Sequence, residues 1–253
     1  MKNLRYRFES QTLFSNPVSE HSFMLKIMPS ERCSQTVVDS MVEITPSNAR
    51  MESGRDFWGN NQKYGIVREP HREFSYLSAG IVQVTGNPEA DPSPLPVFLT
   101  ETPLTQFHAE MDNMLVRDSN LKSAMKMALL IRDNLQYVTG STNVMTTAFE
   151  AFVQGKGVCQ DFAHILISLC REQGIPARYI CGFVLGEGLT HAWTEIWHDG
   201  KWYAIDPTAG KLCDDSYIVT AIGRDAHDCS VSRGIYFGIS DQKTYTKVTV
   251  DEI

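Results

Sequence analysis

No apolar run in this chain of 253 residues approaches the roughly 20 residues that a membrane-spanning helix requires. It has no basic excess either: 23 Lys and Arg stand against 30 Asp and Glu, for a net charge of -7. That balance excludes the positive stripe of a nucleic-acid binder. The opening residues, Met1-Lys-Asn-Leu-Arg-Tyr-Arg-Phe-Glu9, thread charges through the apolar positions and offer no signal-peptide segment, so a cytoplasmic location is expected. The six cysteines include no Cys-x-x-Cys pair, which argues against a zinc knuckle and a disulfide framework. No EF-hand-like loop is present. The expectation is a protein with no metal or other cofactor, no nucleic-acid partner and no membrane partner.

Residues 2 to 86 are rich in short strand patterns. Leu4, Tyr6 and Phe8 alternate with charged residues, and Phe23-Met-Leu-Lys-Ile27, Met41-Val-Glu-Ile44 and Tyr76 to Val84 read as further strands. Turns are expected at Asn16-Pro17, Pro46-Ser-Asn48, Gly59-Asn-Asn61 and Gly86-Asn-Pro88. This spacing suggests a small antiparallel β-sandwich over 1–86. Residues 87–96 contain four prolines among small and acidic residues and read as an interdomain linker. From 97 the pattern turns helical. Leu121 to Leu135 is amphipathic and Thr146 to Phe152 is a short helix. Strands return over Arg178 to Val184, Ile235 to Ile239 and Tyr245 to Val250. The expected fold class is α+β, with a core over 97–253 in which a helix packs on an antiparallel sheet.

The chemistry concentrates between Gly155 and Gly210. In Gly155-Lys-Gly-Val-Cys-Gln-Asp-Phe-Ala-His164, a glycine turn delivers Cys159 to the start of a helix. Phe162, Ile165, Leu166, Leu169 and Cys170 give that helix its apolar face, and Gly174-Ile-Pro176 ends it. A cysteine in a helix's first turn lies among unpaired N–H groups at the positive end of the dipole, where the nucleophilic thiolate is favoured. Downstream, two aromatic-rich runs flank Asp199-Gly200 as a β-hairpin. Its register sets Trp197 opposite Trp202 and Trp193 opposite Asp206, leaving His191 one diagonal step from Asp206 on the same face. Cys159, His191 and Asp206 are therefore candidates for nucleophile, base and orienting carboxylate of an acyl-transfer enzyme.

These residues carry a resemblance. The segments Gly157-Val-Cys-Gln-Asp-Phe-Ala-His164, Gly174-Ile-Pro-Ala-Arg-Tyr179, His191-Ala-Trp193 and Asp206-Pro-Thr208 resemble the transglutaminase-like superfamily, and specifically its bacterial, cysteine-protease-like branch. The likeness extends through Thr139-Gly-Ser-Thr142 and Val219-Thr-Ala-Ile-Gly-Arg-Asp225. In the N-terminal part, Asp56-Phe-Trp-Gly-Asn60 and Glu69-Pro-His-Arg72 resemble the β-rich domain that precedes the core in that branch. After Arg224 the chain departs from the branch, with Ala226 and Ser230-Val-Ser232 where the family often has Asp-Tyr and a Pro-Pro pair. The resemblance implies a papain-like fold and, more often than crosslinking, hydrolysis of a peptide or amide substrate.

The reaction expected is attack of the Cys159 thiolate on an amide carbonyl, giving a thioester acyl-enzyme. Resolution by water makes a peptidase or amidase, and resolution by an amine makes a transglutaminase. A non-catalytic binding module on the same fold is a third reading. The backbone N–H of Cys159 is the first oxyanion donor. The second is drawn from Gln160, Trp193 or the Thr139–Thr142 loop. Asp161, two positions past Cys159, points away from it and stabilises the helix start, and His164 is structural. Trp193, Trp197 and Trp202 form an aromatic face best explained by sheet packing, and Glu195 on that face is a buried, hydrogen-bonded carboxylate. Cys170 and Cys181 read as buried hydrophobes.

Overall fold

The computed structural model describes residues 1–253, and its organising element is the long strand β1 (Lys2–Leu25). Alternate residues Leu4, Tyr6 and Phe8 are buried, as period-two patterning requires. β2 (Gln35–Thr45), β3 (Arg50–Arg55), β4 (Asn61–Val67) and β5 (His71–Val84) complete the N-terminal strands. The first half of β1 pairs with β5, which pairs with β2, and the second half pairs with β4, which pairs with β3. The register shifts between Leu13 and Val18, so Asn16-Pro17 is an irregularity within β1 and not the turn expected. A proline cannot donate to a ladder, and a bulge accommodates it.

The connector contains β6 (Glu89–Ala90). It is followed by α1 (Leu121–Asn134), β7 (Gln136–Tyr137), α2 (Ala148–Gln154), β8 (Lys156–Gly157) and α3 (Cys159–Glu172). Gly174, at φ 69°, closes α3: its N–H bonds the Arg171 carbonyl and the Ile175 N–H bonds the Cys170 carbonyl, both at 2.9 Å. The strands β9 (Ala177–Val184), β10 (Gly186–Gly188), β11 (His191–His198), β12 (Lys201–Asp206), β13 (Lys211–Leu212) and β14 (Tyr217–Gly223) come next. Five of them form a sheet in the order β13-β12-β11-β9-β14. α3 packs on it through Phe162, Ile165, Leu166 and Leu169, which share a core with Ala192, Ile196 and Ile205. The fold is α+β, and no helix is long and apolar enough to cross a membrane.

The chain then returns to its beginning. β15 (Ser232–Phe237) pairs with the second half of β1, and β16 (Gln242–Glu252) pairs with the first half from Phe14↔Gln242 to Leu4↔Glu252. The last strands therefore belong to the N-terminal sheet, whereas a core over 97–253 would have kept them with the helices. β10 adds to the far side of β16 and ties the chain just before His191 to that sheet.

The two halves are also joined by side chains. Phe183 of β9 stacks on Tyr6 and Phe8 at 5.6 and 5.5 Å, inside the N-terminal core. β14 is an edge strand of its sheet, and two amides from the N-terminal half satisfy its backbone. Gln35 accepts from the Val219 N–H at 2.9 Å and donates to the Val219 carbonyl at 2.8 Å, and Asn60 does the same to Ile222 at 2.8 and 2.7 Å. A Gln35→Met variant keeps the volume but leaves both buried Val219 groups unpaired. It is expected to lose on the order of 2–4 kcal/mol in denaturant unfolding. The connector is likewise no free linker. Trp197 and Trp202 donate to Asp91 at 2.7 and 2.8 Å, because a buried indole N–H needs an acceptor. Arg32, Glu89, Arg178 and Glu195 form a buried ion cluster capped by Trp202, whose ring lies 4.1 Å from the Arg178 guanidinium.

Candidate active site

The helix bearing Cys159 starts on Val158, which has no side-chain oxygen to cap it. Asp161 supplies the cap instead, since its Oδ2 accepts from the Val158 N–H and from the Thr142 hydroxyl, each at 2.7 Å. Asp161 thus stabilises the helix start, as expected, and also ties down the Thr139–Thr142 loop. Burial raises its pKa against these hydrogen bonds. The close approach explains Gly157, where a Cβ would meet the Asp161 carboxylate oxygen at 2.7 Å. The N–H groups of Cys159 and Gln160 open the helix and have no carbonyl one turn back to bond. Cys159 itself is partly exposed.

His191 and Asp206 arrive on the hairpin. Asp199 and Gly200 both have positive φ, 46° and 75°, the signature of a type I′ turn. The ladder runs from His198↔Lys201 to Thr194↔Ile205 with Trp197 opposite Trp202, the register expected. His191 Nε2 lies 2.8 Å from Asp206 Oδ2. The Asp206 carboxylate is buried and fully engaged. Oδ2 also accepts from the Tyr217 hydroxyl at 2.9 Å, and Oδ1 accepts from the Thr208 and Ala209 N–H groups at 2.9 and 3.2 Å. The Cys159 thiol is near enough to the imidazole to help raise its pKa. With Nε2 taken by Asp206, Nδ1 is the nitrogen left to meet the sulfur.

The electrostatics follow from this packing. Burial opposes charge on His191, but the hydrogen bond to Asp206 and the contact with Cys159 outweigh it and raise its pKa from 6.5 to about 9. Burial likewise works to raise the Asp206 carboxyl, yet His191, the Ala209 N–H and Tyr217 together hold it below the usual carboxylate range. Tyr217 moves the other way, raised by burial and by the Asp206 charge. An imidazolium–carboxylate pair beside a thiol can deliver a proton to a leaving amine and take one from water.

The other candidates separate. Gln160 lines a cleft with Tyr179, Thr190 and Arg233. Trp193 does not: it is buried with Ile180, Tyr217 and Val219 on the sheet face away from α3, its ring 6.2 Å from that of His191. There it backs the histidine, buried in sheet packing. His164 is fully buried and accepts from the Ala226 N–H at 3.1 Å, the structural place expected. Burial lowers its pKa to about 4. Glu195 is held by the Arg32 and Arg178 guanidinium groups. Two neighbours of the site were not visible in the sequence. Tyr217 fixes Asp206 from β14. Tyr137, on β7 paired in parallel with β8, is a neighbour of Cys159, and its pKa is raised by burial and then by the charge of the thiolate. Its place between α1 and the Thr139–Thr142 motif was the one available signal.

The chain is similar to known proteins over most of its length. Residues 112–207, which include Cys159, His191 and Asp206, match the model of the transglutaminase-like superfamily core. Residues 4–83 match the bacterial transglutaminase-like N-terminal region. An uncharacterized protein of Mycobacterium leprae is 28% identical, with 94% of each chain covered. One of Mycobacterium tuberculosis is 28% identical over 98% of this chain and 92% of the relative. Among solved structures, a Cytophaga hutchinsonii protein provisionally named a cysteine protease superposes with a TM-score of 0.80, covering 100% of this chain and 92% of its own, at 23% identity. At that identity the likeness is one of fold.

Proposed function

Because the chain belongs to the transglutaminase-like superfamily, we propose that it is a thiol-dependent hydrolase that cleaves a peptide or amide bond through Cys159, His191 and Asp206. The observation that carries this reading is the 2.8 Å contact from His191 Nε2 to Asp206 Oδ2, with Cys159 at the head of α3. The Cys159 thiolate adds to the substrate carbonyl, and the oxyanion forms beside the N–H at the helix start. Collapse of the adduct breaks the C–N bond as the His191 imidazolium protonates the departing amine. A thioester remains on Cys159 and His191 is neutral. His191 then removes a proton from water as the water oxygen attacks the thioester, which releases the acid and returns the imidazolium–thiolate pair. Asp206 holds the ring and stabilises its charged form.

Gln160 is the candidate second oxyanion donor, since it borders the cleft; removal of such a donor costs about 10²–10³ in kcat. The test of the reading is thiol alkylation. Iodoacetamide at neutral pH is expected to label Cys159 stoichiometrically and ahead of the other five cysteines. Burial raises the Cys170 and Cys181 thiols to about 12, so neither competes. Labelling should be lost in His191→Ala. Uniform slow labelling would instead leave a non-catalytic module. With a glutamine-containing peptide, release of free acid identifies a hydrolase, and incorporation of a supplied amine identifies a transglutaminase.

A further inference from the structure

β15 is unpartnered along one side. It pairs with β1 alone, so alternate backbone N–H and C=O groups along its outer edge face no strand. Edges of this kind are usually blunted by charge, proline or a covering element. Here Ile235 and Phe237 are 75% and 78% exposed, and Ile239 just beyond the strand is 94% exposed. Ile235 and Phe237 share one face at period two and make an apolar stripe. The strand also begins at a cleft that reaches the candidate site's chain neighbours. Ser232 and Arg233 line a cleft of about 650 Å³ together with Val144, His227, Gln160 and Thr190, and the last two are the chain neighbours of Cys159 and His191.

We propose that β15 is the docking edge for the substrate, an extended polypeptide segment that adds to it as a further strand. The segment sets alternate apolar side chains against Ile235 and Phe237 and runs past Arg233 into the cleft. This deepens the hydrolase reading and rests on it for the location of the reacting bond. The continuity of edge and cleft selects the substrate over a second copy of this chain, which would have no use for the cleft. Arg233 to Ile239 spans about 20 Å, so a substrate engages the whole edge only if it carries about six residues outside the cleft. Affinity comes from main-chain hydrogen bonds, as in other cases of strand addition, and selectivity from the alternating side chains.

The probe is a fluorescein-labelled peptide of about ten residues alternating Val and Thr and ending in Gln-Gly, titrated onto the Cys159→Ala chain by anisotropy. Adding Ile235→Lys and Phe237→Lys is expected to weaken binding about tenfold or more, and methylating alternate peptide nitrogens to weaken it comparably. Both replaced side chains point to solvent, so an unchanged thermal melt verifies folding. In the chain with Cys159 intact, the two lysines should lower kcat/KM for this peptide relative to that for a single-residue glutamine amide. Binding that survives both the lysines and the methylation overturns the proposal. So does a concentration-dependent dimer that the lysines dissolve while the peptide does not bind. Peptide binding lost with the lysines, in a chain that shows no turnover, would sustain the docking edge and sink the hydrolase reading instead.

Discussion

A Cys159→Ala variant is expected to lose kcat by on the order of 10⁵–10⁶-fold while melting close to the unsubstituted chain. The size follows from the way the three groups act. The sulfur forms the bond that splits one difficult displacement into two easier ones, and without it the imidazole has no nucleophile to serve. His191→Ala should therefore cost nearly as much as Cys159→Ala, and the double variant little more than either. Stability is spared because the thiol is only partly buried at the head of α3, which is capped by Asp161 and not by Cys159. Progress curves on a fluorogenic amide measure the loss. Intact-mass spectrometry after a rapid quench should find the thioester on the unsubstituted chain and none on the variant. Turnover within about a hundredfold of the unsubstituted chain, which positioned acid–base groups can supply alone, would show that the sulfur is not the nucleophile.

The placement of Cys159, His191 and Asp206 was legible in the sequence because each is fixed by short-range rules. Gly155 and Gly157 before Cys159, and Gly174 after the apolar run, bound one helix, and Asp199-Gly200 demands positive φ at two successive residues. That turn determines the hairpin register, and the register brings His191 to Asp206. What surrounds them depends on long-range pairing, which local periodicity does not encode. The pattern of Tyr245 to Val250 says strand, but nothing in it says that β16 pairs with Leu4 to Phe14, so the chain's end reads as part of the catalytic core. The Gln35 and Asn60 side chains act as stand-ins for a strand along β14, a role that an amide shows only once its partners are in place. Tyr137 reaches Cys159 from a strand of two residues, too short to leave a period. Trp193 illustrates the converse error. It is near His191 in sequence, yet its side chain is packed away in a cluster with Ile180, Tyr217 and Val219.

This architecture ties the N-terminal half to the candidate site through backbone and side-chain bracing. His191 follows β10, which is laced to β16, and Asp206 is gripped by Tyr217 of β14, whose edge is held by Gln35. His191 and Asp206 thus stand on strands braced from the N-terminal sheet, while Cys159 stands on α3. Loss of the Gln35 clasp should accordingly loosen the His191–Asp206 pair before it disturbs Cys159.

The pair itself sets the pH range, and Asp206→Asn tests it. His191 titrates at about 9 instead of 6.5 in the folded chain. On the proposed mechanism the imidazolium therefore persists through neutrality, and kcat/KM should fall along an alkaline limb centred near 9. Asparagine keeps the shape of Asp206 but removes its charge, so burial, which disfavours the charged ring, goes unopposed on that side. The limb should move down by more than one pH unit, and kcat should fall by on the order of 10⁴ as the ring loses its fixed orientation. Stability moves with the same protons. Because the folded pKa of His191 is raised, its stabilisation is complete below 6.5 and is lost as pH climbs through 9, a swing of about 3 kcal/mol for a shift of that size. Asp206, depressed, contributes above the ordinary carboxylate range and loses its contribution as pH falls through its folded pKa. Denaturation midpoints of the unsubstituted chain should therefore decline between pH 6.5 and 9, and those of Asp206→Asn should stay nearly level over the same interval. An alkaline limb unmoved by the substitution would mean that a group other than His191 supplies the proton.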